Sequence, residues 1–140
     1  MLHERKTSVT LATRLTGKGA AETAAVIIGI FKRLDPDLRK SITFDNDAAF
    51  ARHTWLREAL DMATYFCNAY ASWQTGGVEN ANGRLRRWLP RQVNLDDVSE
   101  DDMAEIVMTY NPTPRKCLVY ITPIQALFSE LGRDVRMRFA

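Results

Sequence analysis

The chain has 140 residues, 46% of them hydrophobic and 26% charged, with a formal net charge of +2. That supplies apolar material for one soluble domain with one core, and too little net charge to mark a nucleic-acid binder on its own. The longest apolar run, 24–31, is too short to cross a bilayer and MLHERK is no signal peptide, so the expected compartment is cytoplasmic, with no membrane partner. Cys67 and Cys117 lack CxxC spacing and have only His3 and His53 for company, which builds neither a zinc site nor a disulfide framework. Both are expected to be reduced.

In chain order, TSVTLATRL sets Val9, Leu11 and Leu15 against Ser8, Thr10 and Arg14, which predicts a half-buried strand over 7–15. A turn at TGKGA follows; its Gly-Lys lacks the full spacing and the Ser or Thr of a P-loop, so it reads as the cap of a helix over 21–34. Ala24, Ile27, Ile28, Phe31 and Leu34 form that helix's apolar stripe, and Asp35 with Pro36 ends it. In SITFDND the alternating Ile42 and Phe44 predict a strand that ends in an acid, Asp45. A helix over 48–62 and a short strand at ATYFC come next. Gly76 and Gly77 then open a helix whose Val78, Ala81, Leu85 and Trp88 recur at helical spacing until Pro90 stops it. Ser99 with Asp102 caps a further helix that buries Met103, Ile106, Val107 and Tyr110. Thr122 and Pro123 open the last one, expected to run through Leu131 and close at Gly132. The division expected is a body over 1–132 and a loose basic tail, RDVRMRFA, over 133–140.

Two acids stand out. Asp45 and Glu79 are separated by 33 residues and fall at a strand end and a helix start. Hard-oxygen ligands so placed suit a divalent-metal phosphoryl-transfer site, because Mg²⁺ takes carboxylates and keeps positions for water and phosphate. On the Glu79 helix, Asn82 and Arg86 fall on the same side as Glu79. A basic block, Arg84, Arg86, Arg87 and Arg91, precedes the acidic Asp96, Asp97, Glu100, Asp101, Asp102 and Glu105. Plainer roles stand beside each of these: Asp45 as a helix cap, Glu79 as a first-turn acid favoured by the helix dipole, and the arginines as a solvated face.

FDND with FARH after it, then YFCNAYASWQTGGVENANGRLRRWLP, then NPTPRKCLVYITP, resembles the catalytic core of DDE insertion-sequence transposases, in particular the family called insertion sequence thirty. The likeness runs from ERKTSVTLATRL to ITPIQALF. It implies an α/β, ribonuclease-H-like (retroviral-integrase-like) fold and two-metal chemistry with Mg²⁺ or Mn²⁺, in which water cuts at the element's end and the freed 3′-hydroxyl attacks target DNA. Asp45 and Glu79 would be the second and third metal-binding carboxylates. Asn82, Arg84, Arg86, Arg87 and Arg91 would bind DNA, with phosphate neutralisation making that binding sensitive to salt. His53, Trp73 and Gln74 match the family's pattern beside the site, with a structural role equally open for His53 and packing the more usual role of a Trp before a turn, as at Trp73. The partners implied are transposon ends and target DNA, with intact transposase as an oligomer partner and no small-molecule substrate.

The departures from the family's pattern matter as much. The family's first catalytic Asp lies on a strand well upstream of the Glu-Arg-Lys segment, whereas only Met1, Leu2 and His3 precede Glu4 here. Asp47 stands where Gly is usual, Tyr70 where His is frequent, Ala71 with Ser72 in place of Ser-Pro, and Thr75 and Thr113 in place of two arginines. The ribonuclease-H-like sheet has strand order 3-2-1-4-5, so losing the first strand and most of the second would open its middle. That leaves free strand edges, or lets the 7–15 strand slide over to pair with the Asp45 strand. The expectation is a mostly helical chain with a reduced sheet, marginally stable and inactive alone as a transposase core. The alternative is a non-catalytic fragment that binds DNA or intact transposase.

Overall fold

The structure is a computed structural model and describes residues 1–138. Its elements in order are β1 (Leu2–His3), β2 (Thr10–Leu11), α1 (Ala20–Lys32), β3 (Ser41–Phe44), α2 (Thr54–Leu60), β4 (Ala63–Phe66), α3 (Gly76–Leu85), α4 (Glu100–Tyr110) and α5 (Pro123–Arg138). The result is a mixed α/β chain dominated by helix. It divides into two compact units, one made of Leu15–Thr75 and the other of Met1–Arg14 with Gly76–Ala140.

In the unit formed by Leu15–Thr75, α1 lays Ala24 and Ile27 against Phe44 of β3 and Leu56 of α2, with Ile28, Phe31, Ile42 and Phe50 closing around them. The predicted stripe on α1 is therefore the core face. Phe44 stacks on Phe50 at 4.4 Å between centroids and meets Phe66 at 5.8 Å. β3 and β4 run parallel in register Ser41↔Ala63 to Phe44↔Phe66. In a parallel ladder alternate residues face the same neighbour. The Lys40 and Phe44 carbonyls accept from Ala63 and Cys67, so Ser41 and Thr43 direct their backbone groups to the other edge, where no strand pairs among the described residues.

The unit formed by Met1–Arg14 and Gly76–Ala140 has its own core of Leu89, Val98 and Met103, flanked by Ala12, Leu85 and Ile106. β1 and β2 pair antiparallel, Leu2 with Leu11 and His3 with Thr10. The Glu4 carboxylate closes their loop by accepting from Lys6 N, Thr7 N and Thr7 Oγ1. Asn111, at the end of α4, takes Thr10 N–H with its Oδ1 and gives Nδ2 to Thr10 O, both at 2.9 Å, and so pairs β2 on its other side as a strand would. α4 opens with the reciprocal Ser99–Asp102 capping box anticipated from the sequence. α5 opens with a second one, in which Thr122 Oγ1 accepts from Gln125 N and Gln125 Oε1 from Thr122 N.

Several boundaries depart from expectation. The strand predicted over 7–15 is only Thr10–Leu11 and pairs with β1, not with the Asp45 strand, because the Glu4-capped turn takes up Thr7 and Ser8. The helix predicted over 48–62 splits into a 3₁₀ turn, Ala48–Phe50, and α2. Asp47 tightens the first by accepting from Ala49 N, and left-handed Asp61 (φ 54°) ends the second. α3 stops at Leu85 instead of running to Pro90. Arg87 and Trp88 bond only three residues back, and Trp88, one of the apolar residues at helical spacing, is 42% exposed. α5 carries through Gly132 to Arg138, so 133–138 of the expected loose tail is helical, while Phe139 and Ala140 lie outside the described residues.

Candidate functional site

Asp45 follows β3 directly and is exposed. Its place is fixed by two local devices. Asn46 Nδ2 donates to Cys67 O at 3.0 Å and Cys67 N to Phe44 O at 2.9 Å, which hold the carboxyl ends of β3 and β4 side by side. Asp45 Oδ1 accepts from Asp47 N at 3.1 Å, orienting the carboxylate and leaving Oδ2 without a donor among the described residues. Asp47, not Asp45, caps the helical turn that follows. Ligands in α/β sheets gather outside the carboxyl ends of parallel strands, which is where Asp45 lies.

The other residues of this unit that were singled out divide by role. His53 is half-buried; its Nδ1 lies 3.1 Å from Thr64 Oγ1 and its ring meets Phe66 edge-on at 4.8 Å, which makes it a packed, hydrogen-bonded histidine between α2 and β4. Gln74 Oε1 accepts from Asn68 N at 2.8 Å and closes the loop after β4. Trp73 is 78% exposed, so packing does not explain it.

In the other unit, Glu79 sits in the exposed first turn of α3, where its charge complements the helix dipole. The start of α3 approaches β1 closely: a Cβ on Gly77 would lie 3.2 Å from the His3 ring, a tight contact that glycine avoids. Asn82 and Arg86 are exposed on the Glu79 side of the helix, and both border a cleft with Met1, Ala12, Thr13 and Leu95. Arg86 Nη1 donates to Leu89 O at 3.5 Å and Arg84 Nε to Asn80 Oδ1 at 3.3 Å, while Arg87 and Arg91 are exposed. The basic block thus occupies the last turn of α3 and the segment after it, where positive charge suits the helix C-terminus.

Among the described residues no three His, Cys, Asp or Glu side chains gather as a metal centre. Asp45 and Glu79 are two carboxylates, one in each unit. The sequence reading passed over Arg115, a buried guanidinium in NPTPRK lying on the Tyr110 ring. The signal available was an arginine five residues after Tyr110, the aromatic residue that ends α4.

No protein-family model matches the chain. Curated relatives do. It is 34% identical over 132 residues to the transposase for insertion sequence element IS1086 of Cupriavidus metallidurans, covering 94% of this chain and 39% of that protein. It is 33% identical over 122 residues to the transposase for IS4351 of Bacteroides fragilis, covering 87% and 37%. Against transposase InsI for IS30A of Escherichia coli it is 32% identical over 122 residues, covering 87% and 32%. The chain is thus homologous to insertion-sequence transposases along most of its length, and it spans less than two fifths of these relatives. Within that class the likeness includes the IS30 elements, whose InsI transposases IS30A, IS30C and IS30D are each 32% identical to it over 122 residues. Among the described residues no helix is long and apolar enough to cross a membrane.

Proposed function

We propose that the chain is the C-terminal part of a DDE transposase catalytic core with a ribonuclease-H-like sheet, and that it acts on DNA. In this reading Asp45 and Glu79 are two of the carboxylates that bind divalent metal, Mg²⁺ or Mn²⁺. Asn82, Arg84, Arg86, Arg87 and Arg91 hold DNA, and the chain alone does not cut. The observation that carries the reading is Asp45 at the carboxyl end of a parallel strand pair whose outer edge, at Ser41 and Thr43, has no partner strand among the described residues. A parallel sheet of two strands is an incomplete object, since such sheets are ordinarily buried within larger ones. The strand bearing the first acid would pair at that edge.

DNA binding is tested by titrating a labelled duplex against salt. The reading predicts binding that weakens steeply with ionic strength as phosphate contacts exchange for counterions. No binding even at low salt contradicts it.

The open β3 edge also favours a second reading, a regulatory fragment that adds to a strand of an intact transposase and lowers its activity. Co-expression with an intact IS30-family transposase separates the two: a fall in transposition supports the regulatory role, and an unchanged frequency removes it.

A further inference from the structure

The register of β3 on β4 fixes what its far edge presents. Lys40, Ile42 and Phe44 turn their backbone groups to β4, so the N–H and C=O of Ser41 and Thr43 point the other way, and both residues are exposed. No strand pairs there among the described residues. Charge or proline ordinarily blunts such an edge, and Ser41–Phe44, SITF, contains neither.

This edge is complementary to itself. Set antiparallel about a two-fold axis through Ile42, Ser41 of one copy stands opposite Thr43 of the other. Residues so matched exchange both of their N–H···O bonds, with Cα atoms about 5.5 Å apart, and the residue between them meets its counterpart as the close, non-bonded pair. Every outward group of Ser41 and Thr43 is then used, and Ile42 keeps its bonds to β4.

Charge selects the direction. Arg39 and Lys40 precede the strand, Asp45 and Asp47 follow it, and Lys40 and both acids are exposed. Antiparallel pairing lays the basic end of each copy along the acidic end of the other, whereas parallel pairing would bring like ends together. The far edge of β4 has no such match: Asp61 precedes it, and no charged residue follows until Glu79.

We propose that the β3 edge is a docking surface for a second copy of this chain, paired β3 to β3 antiparallel about Ile42 in a closed two-fold dimer. The two sheets become one of four strands, in order β4-β3-β3-β4. The inference stands on the edge alone and does not rest on the DNA-acting reading above.

The test is sedimentation equilibrium of the full chain from micromolar to millimolar concentration, which should show monomer and dimer in exchange. Thr43→Pro removes an outward N–H and should raise the dimer's Kd tenfold or more, with circular dichroism checking that the variant folds. Lys40→Glu should weaken the dimer severalfold, and adding Asp45→Lys should restore it. If Thr43→Pro fails to fold, this charge exchange decides. A chain that stays monomeric throughout, mass that grows past the dimer, or a dimer indifferent to Thr43→Pro or to Lys40→Glu overturns the proposal. No sample contains DNA, so failure here leaves the duplex titration to judge the DNA-acting reading separately.

Discussion

Asn111 does with one side chain what a third strand would do for β2. Thr10 is buried, so truncating the amide would leave both its N–H and its C=O without partners. Asn111→Ala should cost about 2 kcal/mol or more, since two buried groups are orphaned and each costs about 1–3. A shift of the urea midpoint checks it, and a loss under about 0.5 kcal/mol contradicts the strand-like role. Next to Thr10, burial pushes the His3 imidazole below the ordinary histidine pKa, against a smaller upward pull from Glu4. Burial alone would raise the Glu4 carboxyl, but the hydrogen bonds from Thr7 and Lys6 outweigh it and hold it below its ordinary value. Both folded values are depressed, so their stabilisation is full above the unfolded values and is lost as pH falls through the folded ones. Below about pH 7, urea midpoints should decline on acidification, beginning near the ordinary histidine value of about 6.5. In His3→Gln the first part of that decline should vanish, leaving the part that belongs to Glu4; a midpoint that rises on acidification contradicts the assignment.

Elements whose signals are local were legible in the sequence. α4 announces itself through Ser99 and Asp102, three residues apart, and the α1 stripe by its spacing alone. Ser99→Ala should cost about 1 kcal/mol, read as a lower melting midpoint, and no change contradicts the cap. Elements settled by distant partners were not legible. The extent of β2 depends on a turn closed by Glu4 and on an amide 101 residues away, neither visible in the alternation of Val9, Leu11 and Leu15. The same holds at the site. Asp45 at the strand end was readable from SITFD, but nothing local showed Asn46 tying β3 to β4, nor His53 turned to packing against Thr64 and Phe66. The free β3 edge yields a further prediction. Thr43 N–H bonds nothing among the described residues, so Thr43→Pro should leave the chain folded by circular dichroism while blocking strand addition to an intact transposase. Equal inhibition by parent and variant contradicts addition at that edge.

At the scale of the whole molecule, the chain carries two separately cored units and a family likeness that spans less than two fifths of each full-length relative described above. Each unit contributes one of the two acids that the family resemblance singles out, Asp45 from one and Glu79 from the other. The central claim is that these carboxylates are catalytic parts that need a third to work. The most direct measurement is Mg²⁺-dependent cleavage of element-end DNA by the purified chain, with Glu79→Gln in parallel. The account predicts no cutting by either protein, and robust cutting by the parent chain that Glu79→Gln abolishes would contradict it.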